Sequence, residues 1–137
     1  MKVRQGVIAG ILLIIIVCAA AGWYLYNKPH EGVGNVEADI RISATDLFND
    51  YQKDENLANK KYLNKVIEVT GNVSDLQNVN GSQLILLSSN SDDGGVSCQL
   101  TNDEKNKIPV KKSATITIKG KCTGYLMDVN LVDCVLK

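Results

Sequence analysis

Hydrophobic and polar positions follow three rhythms along this chain, and each predicts a different kind of element. From Val7 to Leu25 the residues are almost wholly apolar, with no charge between Arg4 and Lys28. A helix of roughly 20 such residues rises about 1.5 Å per residue and crosses the ~30 Å hydrocarbon core of a bilayer. Trp23, Tyr24 and Tyr26 close the run with amphipathic rings suited to the membrane–water interface. Residues 1–26 therefore read as a short tail and a transmembrane anchor. Residues 27–42, with Pro29, Gly32, Gly34 and few apolar positions, read as a linker.

The second rhythm is helical. Leu47, Phe48 and Tyr51 recur on one helical face behind Ser43 and Asp46, a capping box with Asp in place of Glu. A second short helix is expected from Asp54 through Leu57 and Ala58 to Tyr62.

From Val66 the period becomes two. Ile67, Val69, Gly71 and Val73 alternate with Glu68, Thr70 and Asn72, and Gly71 marks a bend or bulge. Asn80-Gly81 predicts a type I′ hairpin turn, which needs two positive φ angles. A second strand is expected over Gln83–Leu87, a polar loop over Ser88–Gly95, and a third strand on Val96, Cys98 and Leu100. After a polar connection from Thr101 to Ser113, Ile116, Ile118, Gly120 and Cys122 face one way. Thr115, Thr117, Lys119 and Lys121 face the other. Gly124 begins a turn, and the last strand covers Val129–Leu136 with a phase slip between Leu131 and Cys134 that predicts a bulge.

Five short strands with these irregularities predict a mainly β class. The expected fold is a five-stranded oligonucleotide/oligosaccharide-binding (OB)-like barrel over residues 43–137, with an N-terminal helical region and one transmembrane helix before it. A five-stranded SH3-like barrel is the alternative.

Charge sharpens the location. Lys2, Arg4 and the α-amino group precede the apolar run and Lys28 alone follows closely, so the positive-inside rule places the N-terminus in the cytoplasm and exports the domain. A cleaved signal peptide at Ala19-Ala20-Ala21 and a lipid-modified Cys18 are competing readings, and both also export it. From Asn27 onward lie all fifteen acidic but only thirteen of the fifteen basic residues, a charge near −2. That balance makes a nucleic-acid partner unlikely.

Candidate chemistry is sparse. His30, the one histidine, lies in the linker, which disfavours histidine-based acid–base or Cys–His catalysis. Cys98, Cys122 and Cys134 lack the spacing and the fourth ligand of a zinc site, so neither metal nor cofactor is expected. The third and fifth strands of an OB barrel are neighbours, which makes Cys98–Cys134 the preferred disulfide, with buried free thiols as the alternative. Asn90-Ser91-Asp92-Asp93-Gly94-Gly95 lacks the alternating ligands and distal Glu of a calcium loop and reads as a solvated turn.

The best candidate contact surface is the apolar turn Tyr125-Leu126-Met127, with Lys119 and Lys121 facing outward beside it. The loop from Ser74 to Ser82 is expected near that turn. Closure of one barrel end by Leu126 and Met127 is the competing reading.

Several segments together resemble the tRNA-anticodon-like OB family. They are Asp54-Glu55-Asn56-Leu57-Ala58-Asn59 through Tyr62, Lys65 through Gly71, Val96-Ser97-Cys98-Gln99-Leu100, Ile118 through Gly124, and Val129 through Cys134. The resemblance spans roughly residues 43–136 and implies an OB fold on a bacterial membrane-anchored or lipoprotein-like chain. The reading that emerges is an exported OB-like module, non-enzymatic and anchored in the membrane by its N-terminal helix. It binds a protein partner or envelope ligand that the residues do not name. Weak binding of single-stranded nucleic acid or an oligosaccharide on the barrel face is the alternative.

Overall fold

The structure is a computed structural model that describes residues 2–27, 32–102 and 109–137. Pro29 and His30 of the expected linker and residues 103–108 of the polar connection lie outside the described residues. The chain divides into two units, 1–31 and 32–137.

In the first unit, α1 runs Lys2–Tyr26. Its segment Gly6–Tyr26 has a mean hydropathy of 2.6 and is long and apolar enough to cross a membrane.

The second unit is a closed barrel. A 3-10 helix, Val33–Asn35, is followed by β1 (Ile40–Ser43), α2 (Ala44–Lys53) and α3 (Glu55–Tyr62). The barrel strands are β2 (Val66–Val79), β3 (Ser82–Ser91), β4 (Gly94–Leu100), β5 (Thr115–Tyr125) and β6 (Val129–Leu136). They pair in the order β2-β3-β4-β6-β5, and β5 returns to β2 to close the ring. All neighbours are antiparallel except β4 and β6, which run parallel.

Local signals explain each element. Ser43 Oγ accepts from the Asp46 N–H at 3.0 Å and donates to its carboxylate at 2.7 Å, which caps α2. Asp54 Oδ1 accepts from the Leu57 N–H at 3.0 Å and caps α3. Asn80 and Gly81 take φ of 50° and 80°, as the β2–β3 hairpin requires. Asp133 takes φ 53° in the expected bulge of β6, where Lys119 and Lys121 pair with Val135 and Val132. The core combines Leu47, Phe48, Tyr51 and Tyr62 from the helices with Ile67, Val69, Ile85, Leu87, Val96, Ile118 and Leu131 from the strands.

Three spans differ from the sequence expectation. The expected linker of residues 27–42 joins the domain: Val33 is buried, and β1 pairs in parallel with β2 through Ile40–Ile67 and Ile42–Val69. β2 continues past Ser74 to Val79 by way of a register shift between Val73 and Asp75. Most of the expected Ser88–Gly95 loop is strand, because buried Ser89 donates its hydroxyl to the Gly94 carbonyl and carries β3 to Ser91. Only Asp92 and Asp93 remain as the turn between β3 and β4.

Gly71 sits where β2 bends under the start of α2. A Cβ there would approach Ala44 Cβ to 2.8 Å and Leu87 Cβ to 3.3 Å. Gly71→Ala is therefore expected to destabilise the domain by about 1–3 kcal/mol through overpacking. Gly32→Ala meets open space and should stay within about 0.5 kcal/mol of the parent. Denaturant melts of the two variants check this, and equal midpoints would remove the steric account of the bend.

Candidate contact surface

α2 lies across one end of the barrel and buries Leu47, Phe48 and Tyr51 in it. Tyr51 in turn holds Tyr125 at the end of β5. Their rings stack with centroids 5.5 Å apart and an interplanar angle of 21°, and Phe48 meets Tyr125 edge-on at 6.0 Å. Gln52 Nε2 donates to the Tyr125 hydroxyl at 3.1 Å. The Tyr51 hydroxyl lies 3.4 Å from Cys122 Sγ, and burial, reinforced by that thiol, pushes the Tyr51 phenol up. Tyr125 is thus a half-buried packing residue that supports the turn from below. Leu126 and Met127, next in the chain, are 84% and 78% exposed, the two most exposed large apolar side chains described outside α1.

The turn between β5 and β6 is fixed at its base. Leu126 N–H donates to the Asp128 carbonyl at 3.2 Å, and Asp128 Oδ1 accepts from the Gly95 N–H at 2.8 Å. Gly94, at φ 148°, lets the β3–β4 turn approach the Met127 carbonyl, which a Cβ there would meet at 2.6 Å.

A cleft of about 440 Å³ opens between this turn and α3, lined by Leu63, Leu126, Tyr125 and polar residues of both elements. Glu55, Asn59 and Leu63 supply the α3 side. The Asp50 carboxylate holds α3 in place, accepting from the Tyr62 hydroxyl at 2.5 Å and from Lys61 Nζ at 2.9 Å. The Tyr62 hydrogen bond, helped by Lys61, holds the Asp50 carboxyl below its ordinary pKa of 3.8. Glu55, Asn59 and Leu63 were not singled out from the sequence. Their i, i+4, i+8 spacing on one helical face was the available signal.

The other expected site residues separate. Lys121 is exposed on β5, between Val66 of β2 and Val132 of β6. Lys119 points out of the barrel as expected, but the Gly32–Ser43 segment covers it and leaves it 7% exposed. Its Nζ donates to the Gly34 and Val36 carbonyls at 3.0 and 2.8 Å, so it clamps that segment and is not part of an open surface. The Asn80-Gly81 tip is not near the apolar turn. Leu84 pairs with Gln99 and Val96 with Val129, which puts the two tips at opposite ends of β4.

Cys98, Cys122 and Cys134 are all buried and their thiols are free. β4 and β6 are neighbours as expected. Cys98 pairs with Leu131 and Leu100 with Cys134, so Cys98 and Cys134 stand as diagonal neighbours. Burial, reinforced by the adjacent Cys98, pushes the Cys134 thiol up. No group of His, Cys, Asp or Glu suited to a metal occurs among the described residues.

Asp50 gives a pH test of the α3 wall. Its folded pKa is depressed, so its stabilisation is present above the unfolded value of about 3.9 and is lost as pH falls through the folded one. Asp50→Asn should lower the melting temperature at pH 7, and the gap to the parent should close as pH falls below about 4. Melts from pH 7 to pH 3 check this; a gap independent of pH would show that the carboxylate charge is not what holds α3.

No curated protein matches the chain. Among solved structures 42 chains match. One is the crystal structure of yeast Stn1 and Ten1, at a TM-score of 0.41 and 10% identity, covering 75% of this chain and 64% of that one. The present chain thus spans less than two thirds of that neighbour's length. The tRNA_anti-like family model matches residues 1–136. Matched over all but its last residue and folded as a closed five-stranded OB barrel, the chain belongs to the tRNA_anti-like family.

Proposed function

We propose that this protein is a membrane-tethered, exported OB module that binds a protein or envelope ligand through its Leu126–Met127 turn, without catalysis. The observation that carries the reading is the exposure of Leu126 and Met127 on a turn fixed by Asp128 and Tyr125, beside a cleft. Exposed apolar side chains on a rigid support favour recognition, because little freedom is lost on binding. The side face of the barrel supports a protein or envelope ligand over a polyanion. There Leu84 pairs with Gln99 and Leu86 with Ser97, aliphatic and uncharged where single-strand binders place aromatic and basic residues. The apolar α1 helix supports the tether, and Lys2 and Arg4 on its N-terminal side favour the orientation.

A photo-crosslinking residue at position 127 in intact cells is expected to give one discrete adduct, and the same probe at exposed Gln77 on β2 none. With the probe kept at position 127, Leu126→Ser should weaken that association by about 1–3 kcal/mol and change folding stability by less than about 0.5 kcal/mol. Loss of stability with an unchanged adduct would mean that Leu126 closes the barrel end.

The tether has its own check. Protease added to spheroplasts should digest the domain and leave a membrane-embedded stub. Protection of the domain until lysis would overturn the exported orientation.

A further inference from the structure

We infer that the cleft between α3 and the β5–β6 turn receives a cationic side chain, an arginine or lysine, from a protein partner. This deepens the proposed function and rests on it, since it names what enters beside Leu126.

The cleft carries one formal charge, a negative one, and a buried acceptor without a partner. Glu55 is its one charged lining residue. Asn59 lines the same wall, and its Oδ1 is buried with no hydrogen-bond donor. Asn130 already directs Nδ2 to the Asp128 carbonyl at 3.2 Å, which leaves its side-chain oxygen as an acceptor. Thr123 directs its hydroxyl to the Asn130 carbonyl at 3.2 Å. The donors among these side chains, the Asn59 and Asn130 amide N–H groups and the Tyr125 phenol that accepts from Gln52, are all neutral.

Such an inventory selects by charge. A carboxylate or phosphate entering the cleft would meet Glu55 without a lining cation to offset it. A purely apolar side chain would cover Glu55 and leave Asn59 unpaired, and burying unmatched polar groups is costly. An ammonium or guanidinium brings donors to both groups, and its aliphatic stem lies against Leu63 and Leu126. The side-chain torsion of asparagine is broad, so a small rotation of the Asn59 amide meets an incoming donor.

The test uses the full chain in lipid nanodiscs and two short amidated peptides, Leu-Arg-Leu and its counterpart with neutral citrulline in place of arginine. Nuclear magnetic resonance titration with the arginine peptide should move the Asn59 side-chain and Gly124 backbone signals. The citrulline peptide should bind about tenfold more weakly. Glu55→Gln should reduce arginine-peptide affinity by a similar factor. Asn59→Asp, which sets a second carboxylate at the unpaired acceptor, should increase it, so the result does not hang on one variant at the start of α3. Equal binding of the two peptides, or weaker arginine binding by Asn59→Asp, would overturn the cationic assignment. If neither peptide moves the cleft signals while the position-127 adduct persists, the cleft is excluded and the turn alone makes the contact. If that adduct is also absent, the underlying binding reading fails with it.

Discussion

This five-stranded ring closes through one strand that serves different neighbours along its length, β2. Its first half, Val66–Asn72, pairs with β5, and its second half, Val73–Val79, pairs with β3. The change of partner needs a bend, and the bend needs a position without a side chain, because Ala44 and Leu87 close on Gly71 from both sides. α2 starts at that same point and is directed across the barrel mouth. Its inward residues Leu47, Phe48 and Tyr51 fill the opening, and Tyr51 and Phe48 then seat Tyr125. Once the mouth is filled from the helix, the β5–β6 turn has no interior left to enter, so Leu126 and Met127 remain outside.

The opposite demand appears at Lys119. An ammonium group removed from water is costly unless its donors are satisfied. Two carbonyls of the Gly34–Val36 stretch take two of its three donors, and Val33 is buried in the same region. Around it, Glu68 bridges Lys137 at 2.8 Å and Arg41 at 3.6 Å, which ties the C-terminal residue and β1 to β2. The segment from Gly32 therefore becomes part of the domain through these polar contacts together with the burial of Val33 and the packing of Ile40 and Ile42 on the core. The polar share of that hold explains why its composition resembles a linker.

What the sequence made legible was local. The Ser43 cap, the Asn80-Gly81 turn, the alternation of β4 and β5 and the bulge before Cys134 each depend on residues close in the chain. What it hid depends on partners far away. Period two shows that Lys119 points outward, but Gly34, 85 positions earlier, decides whether outward means exposed. Tyr125 reads as an exposed aromatic anchor until Gln52, 73 positions earlier, and Tyr51 beside it are brought against it. The serines of Ser88–Ser91 read as loop because polarity is a poor guide where a buried hydroxyl finds a carbonyl, as Ser89 does at Gly94. The site was thus half visible: the turn could be found from its own three residues, whereas the helical spacing of Glu55, Asn59 and Leu63 gave a face without showing that it stands opposite the turn.

Two of the barrel's three hairpin tips carry exposed apolar side chains, and they differ in how they are braced. The β2–β3 tip carries Val79, 47% exposed, and its turn is set by the left-handed pair Asn80 and Gly81. The β5–β6 tip is braced from three directions: by the Tyr51–Tyr125 stack below, by the Asp128–Gly95 hydrogen bond beside it, and by Leu63 lying 3.7 Å from where a Cβ of Gly124 would stand. Ordering a mobile tip on binding subtracts from affinity, whereas a tip already ordered by folding keeps most of its contact energy. The apolar side chains stand on the braced tip. The packing that closes the barrel therefore also presents its most exposed apolar residues in a fixed geometry.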